Sequence, residues 1–262
     1  MKNFMFSIKQ GILGHNFIIS LIVGFFLLIS PIWNVLVICI KNSVSLDYCY
    51  ILNSTVGNGS FCVCAPLFAT ISYTASFSDE MKSGLIRDIL IRENKMQYLL
   101  KKMMANSICG GLTLSTPLII LTIISIIFGV PYSADDIPAG NATIFENTIF
   151  ENFQFVWGGL LVSLVCVFLT FLSGMVWSNV GLCLSAFIQN KYIAVGFPLV
   201  LYYGLSVVLY GTDFYGFSPM SLMLPLIINN VSLCTNILFQ CLELFVVDLI
   251  FITKGRRTLK NV

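Results

Sequence analysis

Two acidic residues, Glu243 and Asp248, lie within an otherwise apolar stretch near the end of the 262-residue chain. Acidic side chains are costly inside a membrane and often mark ion, proton or substrate pathways. Five residues of an α-helix rotate by about 500°, so the two carboxylates lie roughly 140° apart and do not form a pair on one face. Glu243, midway along the stretch, is a candidate for a substrate path, with a hydrogen bond to a neighbouring helix as the alternative. Asp248 could pair with the nearby basic residues that begin at Lys254.

The other residues capable of chemistry are sparse. Cys62 and Cys64 form a C-x-C pair that could bind a soft metal, but no histidine or second pair accompanies them, which favours packing. His15 is the single histidine, so a His-rich metal site is excluded. No Gly-x-x-x-x-Gly-Lys-Ser/Thr motif occurs, so the chain lacks a P-loop of its own. We therefore predict no catalytic residue, metal site or directly bound cofactor, with an intramembrane enzyme of dispersed residues as a remaining alternative.

The composition indicates a membrane protein. Hydrophobic residues make up 57% of the chain and charged residues only 10%, whereas soluble domains have roughly 45–50% and about 25%. The net charge of +2 excludes a nucleic-acid-binding protein. The abundance of Ile, Asn, Lys and Phe suggests an AT-rich bacterial genome.

Six stretches are long and apolar enough to cross a bilayer as helices, for which about 20 residues are needed. They cover residues 17–40, 59–77, 105–130, 155–187, 192–210 and 232–253. The first is longer than a signal-peptide core and lacks a small-residue cleavage site, so we expect a retained anchor. The predicted fold is an all-α membrane protein of one domain with six transmembrane helices.

The basic residues predict the orientation, because cytoplasmic loops are rich in Lys and Arg. With the N-terminus in the cytoplasm, 13 of the 14 Lys and Arg residues lie inside and only Lys41 lies outside. Six of the 13 fall between the second and third spans. We therefore predict a multi-pass protein of the cell membrane with both termini in the cytoplasm.

Three segments outside the spans have predicted roles of their own. Residues 1–16 place apolar side chains at helical spacing and predict an amphipathic helix lying in the inner membrane interface. Residues 217–228 are apolar but too short to span, and carry two prolines, which predicts a re-entrant or interfacial segment. Residues 131–154 form an acidic outer loop with an immediate repeat over 143–152, most simply a tolerated duplication.

The cytoplasmic segment, residues 78–104, carries the strongest functional signal. Ser78 is a suitable N-cap, and Met81, Leu85 and Ile89 follow at helical spacing, so we expect one amphipathic helix up to Arg92. Asn94 is then expected to cap a second helix that continues into the third span. Such a helix could lie on the anionic inner leaflet or dock onto a soluble partner, and residue types alone leave both open.

The order of these elements resembles the permeases of ABC-2-type transporters. In that family a pattern F-x-x-E-x-x-x-G, a leucine, a basic cluster and Y-x-x-K lead into the third span. The matching residues are Phe77, Glu80, Gly84, Leu90, Arg92, Lys95, Tyr98 and Lys101. A second match follows the fourth span, where residues 181–187 and Asn190-Lys191 precede a span containing Pro198. One departure is that Ile91-Arg92-Glu93-Asn94 follows Leu90, where the family often has a proline.

The resemblance implies the membrane subunit of an ATP-driven exporter. The segment would then be a coupling helix contacting a separate ATPase subunit, with Glu80, Gly84, Arg87 and Arg92 as contact positions. Partners would be the ATPase, which binds ATP and Mg²⁺, a second identical or homologous permease subunit, and membrane lipid. The substrate would be hydrophobic or amphipathic, with efflux of or immunity to antimicrobial peptides as the best guess. The main alternative is an ATPase-independent, ion-coupled transporter or channel that uses Glu243.

Overall fold

Long apolar helices make up most of the chain in the computed structural model, as the runs of apolar residues predict. The structure describes residues 9, 11–34, 36–37, 46–57, 60–131, 148–151, 153, 156–188, 190–226 and 231–259. The predicted interfacial helix over 1–16 and the acidic loop over 131–154 lie largely outside this set.

The helices alternate between long membrane-length elements and short connecting ones. In chain order they are α1 His15–Ile29, α2 Tyr48–Gly57, α3 Phe61–Ile71, α4 Ala75–Ser83, α5 Leu85–Arg92, α6 Lys95–Phe128, α7 Leu160–Phe187, α8 Lys191–Leu209, α9 Pro219–Met223 and α10 Leu233–Thr258. Two-residue strands, β1 Leu46–Asp47 and β2 Gly129–Val130, pair in parallel. Short 3-10 turns cover Val156–Gly159 and Tyr215–Phe217.

Five helical segments are long and apolar enough to cross a membrane, which indicates a membrane protein. They are Phe61–Ser83 (α3 with α4), Lys95–Phe128, Val156–Phe187, Lys191–Leu209 and Leu233–Thr258. They correspond to the second through sixth predicted spans. The third of the predicted spans begins ten residues earlier than expected, because the helix capped by Asn94 runs without a break into it.

The first predicted span, 17–40, is interrupted by a turn in the described residues. Helix α1 has 15 residues and ends at Ile29, just before a turn that contains Pro31. Proline lacks a backbone N–H and its ring clashes with the carbonyl four residues earlier, which ends a helix. Helical residues resume at Trp33, and residues 38–45 are outside the described part. The described residues thus show five helices of spanning length beside one shorter apolar helix.

Helices α6 and α7 form the centre of the bundle and approach each other most closely at glycine. A Cβ added to Gly110 would lie 2.3 Å from the Cβ of Ser178 and 2.8 Å from the carbonyl oxygen of Gly174. A Cβ at Gly174 would in turn lie 2.6 Å from the Gly110 carbonyl. Small residues at helix crossings allow such backbone contact in membrane proteins. This contact brings the polar side chains one turn away on both helices within bonding distance.

The end of the bundle that holds α2 and α9 contains two short helices that the sequence did not predict. Residues 48–57, expected to be loop, form a buried helix with Cys49 and Ile51 fully enclosed. The apolar segment 217–228 contains the five-residue helix α9, whose last turn is buried. The Leu222 carbonyl, left free at the end of α9, accepts hydrogen bonds from the amides of Asn236 (3.2 Å) and Gln240 (2.8 Å) on α10. These bonds attach α9 to α10.

The opposite end of the bundle, here called the α5 end, holds α5, the N-termini of α6 and α8 and the C-termini of α7 and α10. Lys95 at the start of α6 donates to the Leu259 carbonyl after α10 (2.8 Å), and Thr258 donates to the Ala186 carbonyl of α7 (3.3 Å). The described basic residues at this end are Lys82, Arg87, Arg92, Lys95, Lys101, Lys102, Lys191, Lys254, Arg256 and Arg257. The charge is therefore concentrated on one side of the bundle.

Candidate functional site

Residues 78–92 fold differently from the single amphipathic helix that the sequence predicts. Ser78 is buried inside α4 and does not begin a helix, since α4 starts at Ala75. The break falls at Gly84, which has φ +74° and ends α4 while beginning α5. L-residues rarely adopt this left-handed conformation, whereas glycine does so at little cost. A Cβ at Gly84 would meet nothing within 4 Å, so the glycine serves the turn here rather than a close contact within the chain.

Helix α5 packs one face against the bundle and leaves the other face open. Ile86 is fully buried, and Ile89 and Leu90 pack against the same cluster. The open side consists of Leu85, Arg87, Asp88, Ile91 and Arg92, which we call the α5 outer face. On this face Ile91 is 82% exposed and Leu85 is 53% exposed. The predicted contact residues Arg87 and Arg92 thus flank an exposed apolar side chain.

Glu80 lies behind this face, in a buried cluster between α4 and α6. Its carboxylate accepts hydrogen bonds from the Tyr98 hydroxyl (2.6 Å) and from Lys102 Nζ (2.5 Å). Lys102 is only 3% exposed, and its ammonium lies 4.7 Å from the centroid of the Tyr73 ring. Burying a charge is costly unless it is paired and hydrogen-bonded, and this cluster provides both. Glu80 is therefore engaged within the chain and links α4 to the start of α6.

Aromatic packing reinforces the same junction. The rings of Phe77 and Phe251 meet edge to face with centroids 5.6 Å apart, and the Phe77 and Tyr98 centroids are 6.4 Å apart. Edge-to-face pairs of this kind add about 0.5–1.5 kcal/mol beyond the area that they bury. Glu93, just after α5, forms an ion pair with Lys101 (3.0 Å). Helix α5 is consequently joined to α6 at its C-terminal end.

A second polar cluster lies deeper in the bundle, between α6, α7 and α10. Asn106 donates to Asn179 Oδ1 (2.9 Å), and Asn179 donates both to Ser107 (2.7 Å) and to Asp248 Oδ1 (2.7 Å). Asn106 and Asn179 are 0% and 1% exposed. Asp248 is thus placed against Asn179, and it forms no ion pair with the basic residues that follow it in the described chain. This cluster fixes the register of three long helices.

Glu243 is half-buried on α10, about 140° around the helix axis from Asp248. Within the described residues its carboxylate has neither a hydrogen-bond partner nor an ion-pair partner. The two intramembrane acids therefore differ in their surroundings. Asp248 accepts a hydrogen bond from a neighbouring helix, whereas the Glu243 carboxylate has no partner among the described residues and could contact an ion or a substrate. Of the cysteine pair, Cys62 is buried in the apolar core, with its Sγ 3.8 Å from the Val56 carbonyl.

The structure brings together some of the predicted site residues and separates others. Gly84, Arg87 and Arg92 share the α5 segment, Glu80 lies behind it, and Glu243 is on another helix. The sequence did not predict that Lys102 pairs with Glu80 or that Asn106 and Asn179 bond across two helices. A usable signal existed for the asparagines, because amide side chains inside apolar spans commonly bond across helices.

No protein-family model, no curated protein and no solved structure matches this chain.

Proposed function

We propose that the protein is the membrane subunit of an exporter powered by a separate ATPase, similar to ABC-2-type permeases. In this proposal the α5 end faces the cytoplasm, the chain crosses the membrane six times, and the α5 outer face docks in a groove of the ATPase. A second permease subunit completes the pathway. ATP and Mg²⁺ bind to the ATPase, and the cargo is a hydrophobic or amphipathic molecule such as an antimicrobial peptide.

The observation that carries the proposal is Ile91, an apolar residue of the α5 outer face that is 82% exposed and is flanked by Arg87 one turn earlier and by Arg92. A helix that only filled the inner interface would direct its apolar side toward lipid or the bundle. Helix α5 already buries one apolar side through Ile86 and still presents a second. An exposed apolar residue rimmed by charge is typical of protein docking sites.

The contacts that hold α5 against α4 and α6 would transmit a movement of α5 to the membrane-spanning helices. The helix is joined to α4 through Gly84 and to α6 through the Glu93–Lys101 pair. Behind it, Glu80 and Lys102 connect α4 to α6. A displacement of α5 by a partner would therefore move the α3–α4 segment and α6, because these specific contacts connect them to α5.

Copurification tests the proposal directly. The tagged protein, extracted in a mild detergent, should retain a P-loop ATPase, and the variant Ile91→Asp with Arg92→Glu should lose most of it. Arg256→Glu is the matched control, since Arg256 is an exposed arginine at the same end but on α10. Absence of any ATPase with the wild-type protein, or equal retention by the α5 variant and the control, would contradict the proposal.

Glu243 supports the second candidate, an ion-coupled transporter without an ATPase, because its half-buried carboxylate lies unpartnered among the described residues. Transport by the purified protein in liposomes under an ion gradient, without ATP and abolished by Glu243→Gln, would favour that function. Transport that needs the ATPase and tolerates Glu243→Gln would favour the exporter.

A further inference from the structure

A groove of about 420 Å³ opens between the α3–α4 segment and the first turns of α8 at the α5 end. Its volume is within the roughly 300–1,000 Å³ of ligand sites. It shares no residue with the α5 outer face, the Glu80 cluster or the side of α10 that carries Glu243. It therefore belongs to none of the sites described above.

The wall formed by α3 and α4 changes from apolar to charged along its length. Leu67, Ile71, Ala75 and Asp79 line the groove at intervals of four residues. At 1.5 Å per helical residue the stripe is about 18 Å long. Its deep part is aliphatic and its end carries a carboxylate. This gradient matches an amphiphile that lies along the stripe with its polar group at the α5 end.

The opposite wall places a positive charge at the same polar end. Lys191, the first residue of α8, lines the groove with Tyr192, and Asn16 from α1 lies at its edge. Helix α8 begins here, with Asn190 accepting a hydrogen bond from the Tyr192 amide (3.0 Å), so the positive end of the helix dipole adds to the lysine charge. Asp79 and Lys191 make no ion pair with each other or with any other residue in the described ranges. The Lys191 ammonium lies 5.6 Å from the centroid of the Tyr192 ring, and the groove thus presents one cation and one anion that lack an ion-pair partner among the described residues.

We propose that this groove binds a zwitterionic phospholipid whose phosphate contacts Lys191, whose ammonium group contacts Asp79, and whose acyl chain lies along Ala75, Ile71 and Leu67. Charge complementarity selects this occupant. An anionic lipid would satisfy the lysine and leave the carboxylate facing a negative headgroup. A free headgroup would leave the aliphatic stripe uncovered. The inference does not depend on an ATPase partner, so it stands or falls separately from the exporter.

Gly196 allows the groove to be filled without disturbing the fold. It lies inside α8 and lines the groove, and a Cβ there would meet nothing within 4 Å. Leucine is also a better helix former than glycine. Gly204 provides a matched control, because it lies on the same helix, also has open space within 4 Å and is not part of the groove.

The experiment is a lipid titration of the delipidated full chain in detergent, followed by native mass spectrometry. Phosphatidylethanolamine should bind more tightly than phosphatidylglycerol with the same acyl chains, and phosphoethanolamine alone should not bind. Gly196→Leu should weaken phosphatidylethanolamine binding by about tenfold or more, and Gly204→Leu should leave it unchanged. Lys191→Gln should weaken it by about tenfold, and Asp79→Asn should remove the preference over phosphatidylglycerol.

Four results would overturn the assignment. Gly196→Leu could bind the lipid as tightly as Gly204→Leu, or both lipids could bind equally to the wild-type protein. Phosphoethanolamine could bind as well as the lipid, which would remove any part for the aliphatic stripe. Finally, Gly196→Leu could change the proportion of dimer instead of the bound lipid, which would identify the groove as a contact between copies of this chain.

Discussion

The ion pair between Glu80 and Lys102 should couple α4 to α6 more strongly than an exposed pair would, so that the loss of one partner destabilises this junction. Lys102 is 3% exposed and Glu80 is 20% exposed. Removing one partner of a buried pair leaves an uncompensated charge and costs about 3–5 kcal/mol. Because one-fifth of the Glu80 side chain is exposed, we expect Glu80→Gln to lower the free energy of unfolding by about 3 kcal/mol, the lower end of this range.

A second pair in the same region provides the comparison. Glu93 and Lys101 are 13% and 29% exposed and lie 3.0 Å apart. Partial exposure reduces the coupling of such a pair to about 1 kcal/mol or less. The assay is thermal unfolding of the purified protein in detergent, for two double-mutant cycles that use Glu→Gln and Lys→Met changes. At about 2–4 °C per kcal/mol, Glu80→Gln should lower the melting temperature by about 6–12 °C.

The double variant of the buried pair should recover much of this loss, because a buried ion pair replaced by uncharged residues of similar size is often close to neutral. A coupling energy for Glu80–Lys102 no greater than that for Glu93–Lys101 would refute the reasoning. It would mean that water reaches Lys102 and that the cluster does not link the two helices electrostatically.

Three further predictions concern the rest of the bundle. Asn179→Leu removes the central amide of the deep polar cluster and should lower the free energy of unfolding by about 2 kcal/mol, measured by denaturant titration in mixed micelles. Gly110→Ala should cost about 1–3 kcal/mol in the same assay, because its Cβ has no room at the α6–α7 contact, whereas Gly204→Ala should be neutral or stabilise by up to about 1 kcal/mol. Burial raises the pKa of the Cys49 thiol from about 9 to about 12, so in the folded protein this thiol should resist maleimide at pH 8 and react only after unfolding. Since the folded-state pKa is raised, the stability contributed by the protonated thiol is complete below pH 9 and declines as the pH rises toward 12.

Each of these predictions has a control and a contrary outcome. For Asn179→Leu the control is Val180→Leu, the neighbouring half-buried apolar position, and a loss no larger than that of the control would show that the amide bonds contribute nothing measurable. Equal effects of alanine at Gly110 and Gly204 would mean that α6 and α7 move apart at little cost. If Cys49 reacts as fast as the exposed Cys234 in the folded protein, α2 is not enclosed as described.

The sequence alone was sufficient for features that depend on neighbours along the chain. The apolar runs located five membrane-length segments, and the prediction that Asn94 caps the helix entering the third predicted span is confirmed, with its side chain accepting from the Met96 amide (3.3 Å). Local rules also placed the end of α5 at Arg92. The prediction that Ser78 is an N-cap was wrong, because α4 begins at Ala75 and Ser78 is buried inside it, which depends on the packing of α4 against the bundle.

Tertiary structure alone decided which charges are paired and which are available. Glu80 and Arg87 were equal candidates for an outward contact, yet Glu80 bonds to Lys102 and Arg87 is exposed. Asp248 meets Asn179, 69 residues earlier in the chain, and Asp79 and Lys191 line the same groove although they are far apart in sequence. Composition and periodicity specify which face of a helix is apolar, because the direction of each side chain is set within a few turns of the same helix. The partner that covers a polar side chain is decided by how the helices cross, and here the close contact of Gly110 with Gly174 sets that crossing.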